Sequence, residues 1–249
     1  NSFAAQEYLK RYLPDLFVIV AYGQILSQAM LDIPKVFALN LHASLLPKYR
    51  GAAPINWAII RGEETTGLTI MRVIRKMDSG PILMQKKVAI GACDDSIILE
   101  DKLRRFGAEL LLEALKEIKN STYKLTVQDE KNVVFAPKLK KDDGYIDWAR
   151  PAAEIYNLVR GSLPWPGAFT YYKGKLLKIY KVRCLEGFKP QGAFRSAEVA
   201  EVSKDEIIVL TGKGALAIEE LQPEGARRLS AKEFIIGHKI KCRDVFGKK

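Results

Sequence analysis

Asn40 and His42 stand two residues apart at the end of an apolar run, Val36-Phe-Ala-Leu-Asn-Leu-His42, and the whole chain has only two histidines. Alternate side chains of a strand share a face, so the carboxamide and the imidazole point one way while Leu39 and Leu41 point the other. Side by side, the two groups can donate hydrogen bonds to one oxygen, which suits the oxyanion formed during acyl transfer. Taken alone, the pair reads more readily as two satisfied polar groups anchoring the loop that follows. Asp78 changes that weighting. It lies in the turn Lys76-Met-Asp-Ser-Gly-Pro81, tight enough to need Gly80 and Pro81. A carboxylate there could reach His42, favour its charged form and fix its tautomer.

Two strands and their crossover must bring these groups together. Leu16 to Ala21 is β-branched and strand-length, and reads as a buried strand ended by Gly23. Ile25 to Leu31 reads as a short helix stopped at Ile33-Pro34, and Val36 to Leu41 as a second buried strand. A helical crossover implies a parallel pair. Asn40 and His42 then sit at the carboxyl end of a parallel strand, where open α/β sheets bind ligands. Pro54 opens a helix to about Ile60. Gly67 to Val73 and Ile82 to Ile90 form an antiparallel pair. A long helix capped by Asp94 or Asp95 runs to about Lys119, with Ile98, Leu103, Phe106, Leu110, Leu111 and Leu115 as its apolar side.

The polar stretch 138–150 reads as a basic linker between a first domain, 1–137, and a second, 151–249. Beyond it come one helix, Pro151 to Val159, and a series of short strands. These are Ala168–Tyr172, Leu176–Leu185, Glu198–Val202, Glu206–Leu210 and Ala215–Leu221, a spacing that predicts a small barrel. Ser230-Ala-Lys-Glu233 is a capping box opening a last helix. The strand from Leu176 alternates, placing Lys178 with Tyr180 and Val182 on one face and Lys181 with Arg183 on the other. Trp148, Trp165, Tyr171 and Tyr172 are expected in the core rather than as stacking platforms.

Apolar residues make up 48% of the chain, enough for a substantial core, and no stretch approaches the about 18–20 residues that cross a bilayer. Three scattered cysteines form no disulfide framework and, with two distant histidines, no metal site; a reducing compartment is the simple reading. The net charge of +11 is uneven: residues 1–148 carry +3 and residues 149–249 carry +8. A basic second module fits a polyanionic partner, most often nucleic acid, as well as it fits a surplus of solubilising lysines.

The segments "AYGQIL", "LNLHASLLPKYRGAAPINWAIIRGEETTGLTIM" and "KMDSGPIL" closely resemble the formyltransferases that use 10-formyltetrahydrofolate. Asn40, His42 and Asp78 fall in the order and spacing of that family's catalytic Asn, His and Asp. In the second half, "KLKKDDGYIDW", "LPWPGAFT" and "LSAKEFIIGHKIKCRDVF" are similar to the methionyl-tRNA formyltransferase family. The resemblance covers nearly the whole chain. It implies an α/β Rossmann-like catalytic domain, incomplete at its N-terminus, followed by a small, mostly β, OB-like barrel that holds tRNA.

The opening Asn1-Ser-Phe reads as the middle of a longer sequence, and no Gly-rich phosphate loop is found in the residues that follow. The resemblance implies a longer N-terminal segment carrying the first strand, its glycine loop and part of the aminoacyl-tRNA site, so the activity of this chain alone stays open. The implied co-substrate is 10-formyltetrahydrofolate, without a metal, and the implied partner is initiator methionyl-tRNA. A monomer in the bacterial cytoplasm is expected, or in a mitochondrion or plastid for an organellar relative. The folate is expected along Ala21, Tyr22, Gly23, Gln24 and Ile25 and the loop Ser44, Leu45, Leu46 and Pro47, although Gly23 also serves as a plain turn and Leu46 and Pro47 also serve as packing. Arg50 either touches substrate or the folate tail, or is structurally paired. Lys138, Lys140, Lys141 and Lys178 are expected on tRNA. Two alternatives remain at this stage: a sugar-amine formyltransferase, and a tRNA-binding protein with an impaired catalytic half.

Overall fold

The computed structural model describes residues 1–185, 187–190, 192–193 and 195–247, which divide into two compact units. The first comprises residues 1–58, 63–93 and 98–138. It holds α1 (Phe3–Lys10), β1 (Leu16–Val20), α2 (Gln28–Leu31), β2 (Phe37–His42), most of α3 (Pro54–Ile60), β3 (Thr65–Arg72), β4 (Ile82–Ala89) and most of α4 (Ser96–Lys119). The strands form one sheet in the order β1-β2-β3-β4, parallel between β1 and β2 and antiparallel thereafter.

Three expectations are corrected here. β1 is not buried: Val18 is 44% and Val20 51% exposed, because β1 is an outer strand paired only with β2 among the described residues. The helix before β2 is a single turn. Ser27 caps it through its hydroxyl, and residues 22–27 stay irregular. The buried side of α4 runs through Leu99, Leu103, Leu110 and Ala114, while Ile98 and Phe106 are exposed. The small residues decide this face. A Cβ on Gly107 would lie 2.9 Å from the Leu41 side chain, so α4 packs closely on the Leu39/Leu41 face of β2. The opposite face of β2 is left to Asn40 and His42.

The second unit comprises residues 59–62, 94–97 and 139–249. It contains α5 (Ala152–Gly161), β5 (Ala168–Tyr172), β6 (Lys175–Leu185), β7 (Val199–Val202), β8 (Ile207–Leu210), β9 (Ala215–Pro223), β10 (Leu229–Ser230) and α6 (Ala231–His238). The antiparallel order is β5-β6-β9-β8-β7, with β10 on β9. The chain near its end closes this sheet: Phe246 bridges Tyr172 beside one outer strand, and Val245 bridges Glu198 beside the other. This seam covers part of each outer strand, in keeping with the expected barrel. Tyr172 donates its hydroxyl to Asp244 at 2.7 Å across this seam. Burial and that carboxylate together raise the phenol well above its usual range. Ser230 and Glu233 form the expected capping box of α6.

The stretch read as a linker is folded into this unit from Leu139 onward. Lys141–Gly144 is a 3-10 turn, and Ile146 and Trp148 are buried in the barrel core. The alternation expected along β6 also breaks. A bulge between Ile179 and Val182 inserts one residue, so Leu177, Ile179 and Val182 all face inward. Lys178 before the bulge, Tyr180 and Lys181 within it, and Arg183 after it therefore share the outside. Trp148 and Tyr172 are in the core as expected, but Trp165 is 53% exposed.

Candidate active site

His42 is 6% exposed, and its Nε2 lies 2.9 Å from the Tyr49 carbonyl. A carbonyl only accepts, so Nε2 carries the proton, and Nδ1 is left facing Asp78 Oδ2 at 3.8 Å. The tautomer is therefore set by Tyr49, a backbone group that the sequence does not advertise, and not by Asp78 as expected. Tyr49 reaches His42 because its backbone takes a left-handed conformation, φ 63°. Its own hydroxyl is tied to Glu63 at 2.8 Å, which keeps the loop in that shape. Asp78 has φ 49°, also left-handed, and its Oδ2 accepts the Gly51 amide at 2.9 Å. Gly51 has φ 127°, and a Cβ there would collide with the Ala136 carbonyl. Only glycine fits this conformation against the Ala136 carbonyl while its amide reaches Asp78.

Asn40 lies two residues before His42 on the same face of β2, and its carboxamide has no hydrogen-bond partner among the described residues. An amide, an imidazole and a carboxylate thus converge at the carboxyl end of a parallel strand. One of them still has both of its donors to give.

Two family models match the chain: the one described as formyl transferase over residues 2–115, and the one described as formyl transferase, C-terminal domain, over residues 138–239. The methionyl-tRNA formyltransferase of Caldanaerobacter subterraneus subsp. tengcongensis is 46% identical over 93% of this chain and 74% of its own length. The chain belongs to the methionyl-tRNA formyltransferase family. The enzyme of that name from Geobacter metallireducens is 47% identical over 91% of this chain and 71% of its own. Among solved structures, HypX from Aquifex aeolicus in complex with tetrahydrofolic acid superposes with a TM-score of 0.69 at 21% identity. The match takes in 98% of this chain and 44% of HypX, so this chain spans under half of that protein. The sugar 3N-formyl transferase WlaRD gives 0.67 at 21% identity over 88% of this chain and 77% of its own. At such identities these two share the fold alone.

The remaining expected positions of this formyltransferase divide into available and occupied. Ala21, Tyr22, Gly23, Gln24 and Ile25 are all exposed just beyond β1. Ala21 (φ 48°) and Gly23 (φ 73°) turn the backbone, and the space within 4 Å of a Gly23 Cβ is empty. Leu45 and Pro47 are partly exposed. Ser44 and Leu46 are buried, and for Leu46 this is the packing role that its position also allowed. The Ser44 hydroxyl donates to the Lys48 carbonyl, and the Leu46 amide and carbonyl are taken by Thr69 and Gln85. Their polar atoms brace the loop.

Arg50 takes the second of the two readings left open for it, that of a structurally paired side chain. It is 2% exposed, and its guanidinium is spent on Gln128 (Nε 3.0 Å, Nη2 2.7 Å) and Glu130 (2.9 Å). The Arg50 bond, then Lys76, hold the Glu130 carboxyl down at about 2 from an ordinary 4.5. A lowered folded-state value contributes stability above about 4.5 that is lost as the pH falls toward 2. In urea melts, wild type is expected to exceed Glu130→Gln above pH about 4.5, and the two should converge toward pH 2. A gap independent of pH would show that the ion pair does not contribute.

Lys138, Lys140 and Lys141 are exposed, and Lys178 is half-buried on the outer face of β6. Among the described residues no carboxylate forms an ion pair with the side-chain ammonium of any of the four, although Asp143 accepts the backbone amide of Lys140 at 2.6 Å. Lys181 and Arg183, by contrast, are paired with Glu219 and Glu206.

Proposed function

We propose that this chain transfers the formyl group of 10-formyltetrahydrofolate to the α-amine of initiator methionyl-tRNA. The observation that carries the proposal is the convergence of Asn40, His42 and Asp78 at the carboxyl end of β2, in a chain whose relatives bear that enzyme's name over nearly its whole length. Asn40 donates its carboxamide N–H to the oxygen that becomes negative when the amine adds to the formyl carbon. His42, with Nε2 held by Tyr49, takes up at Nδ1 the proton that the amine loses and presents an imidazolium to the same intermediate, which collapses as the bond from the formyl carbon to the folate nitrogen breaks and that nitrogen leaves with the proton. Asp78 stabilises that imidazolium. Its 3.8 Å separation from Nδ1 exceeds the about 2.7–2.9 Å of a direct charged hydrogen bond, so a proton passing between them needs a bridging atom or a closing movement.

The backbone of Ala21 to Ile25, with its left-handed turns and open front, is assigned to the pterin, whose flat edge suits exposed amides and carbonyls. The unpaired lysines are assigned to tRNA phosphates. The reaction belongs in a bacterial cytoplasm, where translation starts on formylated initiator.

The test is an acceptor comparison with 10-formyltetrahydrofolate as donor. Formylation of methionyl-tRNA with no formylation of a nucleotide-linked amino sugar is expected. Preference for the sugar amine would overturn the assignment. Binding of methionyl-tRNA without transfer would instead leave a tRNA-binding protein.

A further inference from the structure

Asp78 sits in a turn with a left-handed backbone (φ 49°), a conformation that Asp tolerates better than most residues but that still costs energy unless its surroundings hold it. A group from far along the sequence holds this turn. Gln128 Nε2 donates to the Asp78 carbonyl at 2.9 Å and to the Gly80 carbonyl at 2.7 Å. Its Oε1 accepts from Arg50 Nε and Nη2. A guanidinium only donates and a peptide carbonyl only accepts, so the amide can lie in one orientation only. Gln128 is 6% exposed and Arg50 2%, so water does not compete for these bonds. Gly51, the residue after Arg50, grips the Asp78 carboxylate itself. One connected set of groups therefore holds the turn by its backbone and the carboxylate by its oxygen.

We infer that Gln128, itself held by Arg50, is a positioning residue that fixes the Asp78 carboxylate opposite His42. The inference rests on Asp78 acting in the reaction as proposed above. Gln128 lies against the turn's carbonyls and Arg50, so its effect on the reaction passes through Asp78.

Gln128→Glu in the full chain is the discriminating variant. The side chain keeps its length, and one carboxylate oxygen still satisfies Arg50. The other oxygen then opposes two carbonyls and releases the turn. Turnover is expected to fall about 10- to 100-fold, since a displacement near 1 Å at a reacting group has that scale of effect. The KM for the folate should stay within about twofold, because the change affects the transition state and leaves ground-state binding alone. The amide proton of Gly51, followed by NMR, should move upfield as its bond to Asp78 lengthens. Gln128→Met, which removes the donor without adding charge, should do the same and covers the case in which the glutamate variant does not fold.

An unmoved Gly51 resonance overturns the inference whatever happens to turnover, and a moved resonance with wild-type turnover overturns it as well. Failure of the underlying reading has a different signature: Asp78→Asn would then turn over normally, while the Gly51 resonance would still respond to Gln128.

Discussion

Asn40→Ala is expected to lower kcat by about 100- to 1,000-fold while leaving the thermal midpoint nearly unchanged. Loss of one preorganised donor to an oxyanion costs about 2.7–4 kcal/mol of barrier, which is that range of rate. The stability half of the expectation follows from Asn40's surroundings. Its carboxamide has no hydrogen-bond partner among the described residues, so truncation orphans nothing. Substitutions that break no such feature usually stay within about 0.5 kcal/mol. His42→Ala should lose at least as much turnover, but it is the less clean experiment. It removes the 2.9 Å hydrogen bond to the buried Tyr49 carbonyl, and loss of one internal hydrogen bond costs about 0.5–1.5 kcal/mol. Steady-state kinetics on both variants, with thermal melts alongside, separate chemistry from folding. Turnover near wild type in Asn40→Ala would remove the oxyanion assignment.

The pattern of strands and helices was legible because it depends on local alternation and apolar runs. The parallel β1–β2 pair, the β3–β4 hairpin, the α6 capping box and a small closed barrel all follow from such signals. Failures cluster where the third dimension intervenes. The apolar sequence of β1 reads as buried, yet burial needs a neighbour on both sides, and β1 has one among the described residues. The face of α4 was misplaced because glycine and alanine carry little hydrophobic weight but permit the closest packing, as Gly107 does on Leu41. The alternation of β6 was misread because a bulge has no sequence signature there.

At the site, spacing alone put Asn40 and His42 on one face. The groups that hold the site in shape were invisible. The Tyr49 carbonyl and the Gly51 amide are backbone atoms, and Gln128 lies 50 residues from Asp78. Arg50 illustrates the same limit: its charge and loop position fit a ligand contact, and only its 2% exposure reveals an internal strut.

Replacing Lys138, Lys140 and Lys141 together should weaken tRNA binding and flatten its salt dependence without altering folate affinity. The three lie within four residues, all exposed, and among the described residues none of their ammonium groups forms an ion pair with a carboxylate. Lys181 and Arg183 are exposed too, but Glu219 and Glu206 already neutralise them, so they have less to offer a phosphate. Fixed backbone adds to the case for the lysines. Leu139 is buried, and Lys141 begins a 3-10 turn that leads into the barrel core at Ile146. Their charges are therefore presented from an ordered segment, which loses less entropy on binding than a flexible tether would. Each neutralised phosphate releases counterions, giving a log–log slope of about −0.9 per contact on a duplex and about −0.7 on a single strand. Three lost contacts should thus flatten the slope by about 2 to 3. Titrations of methionyl-tRNA at several salt concentrations measure both affinity and slope, and a parallel folate titration controls for folding. A triple variant with the wild-type slope would show that these lysines serve only hydration. The phosphate contacts would then have to be sought at Lys178 on the outer face of β6, beside Tyr180, whose ring carries Arg228 3.6 Å above it.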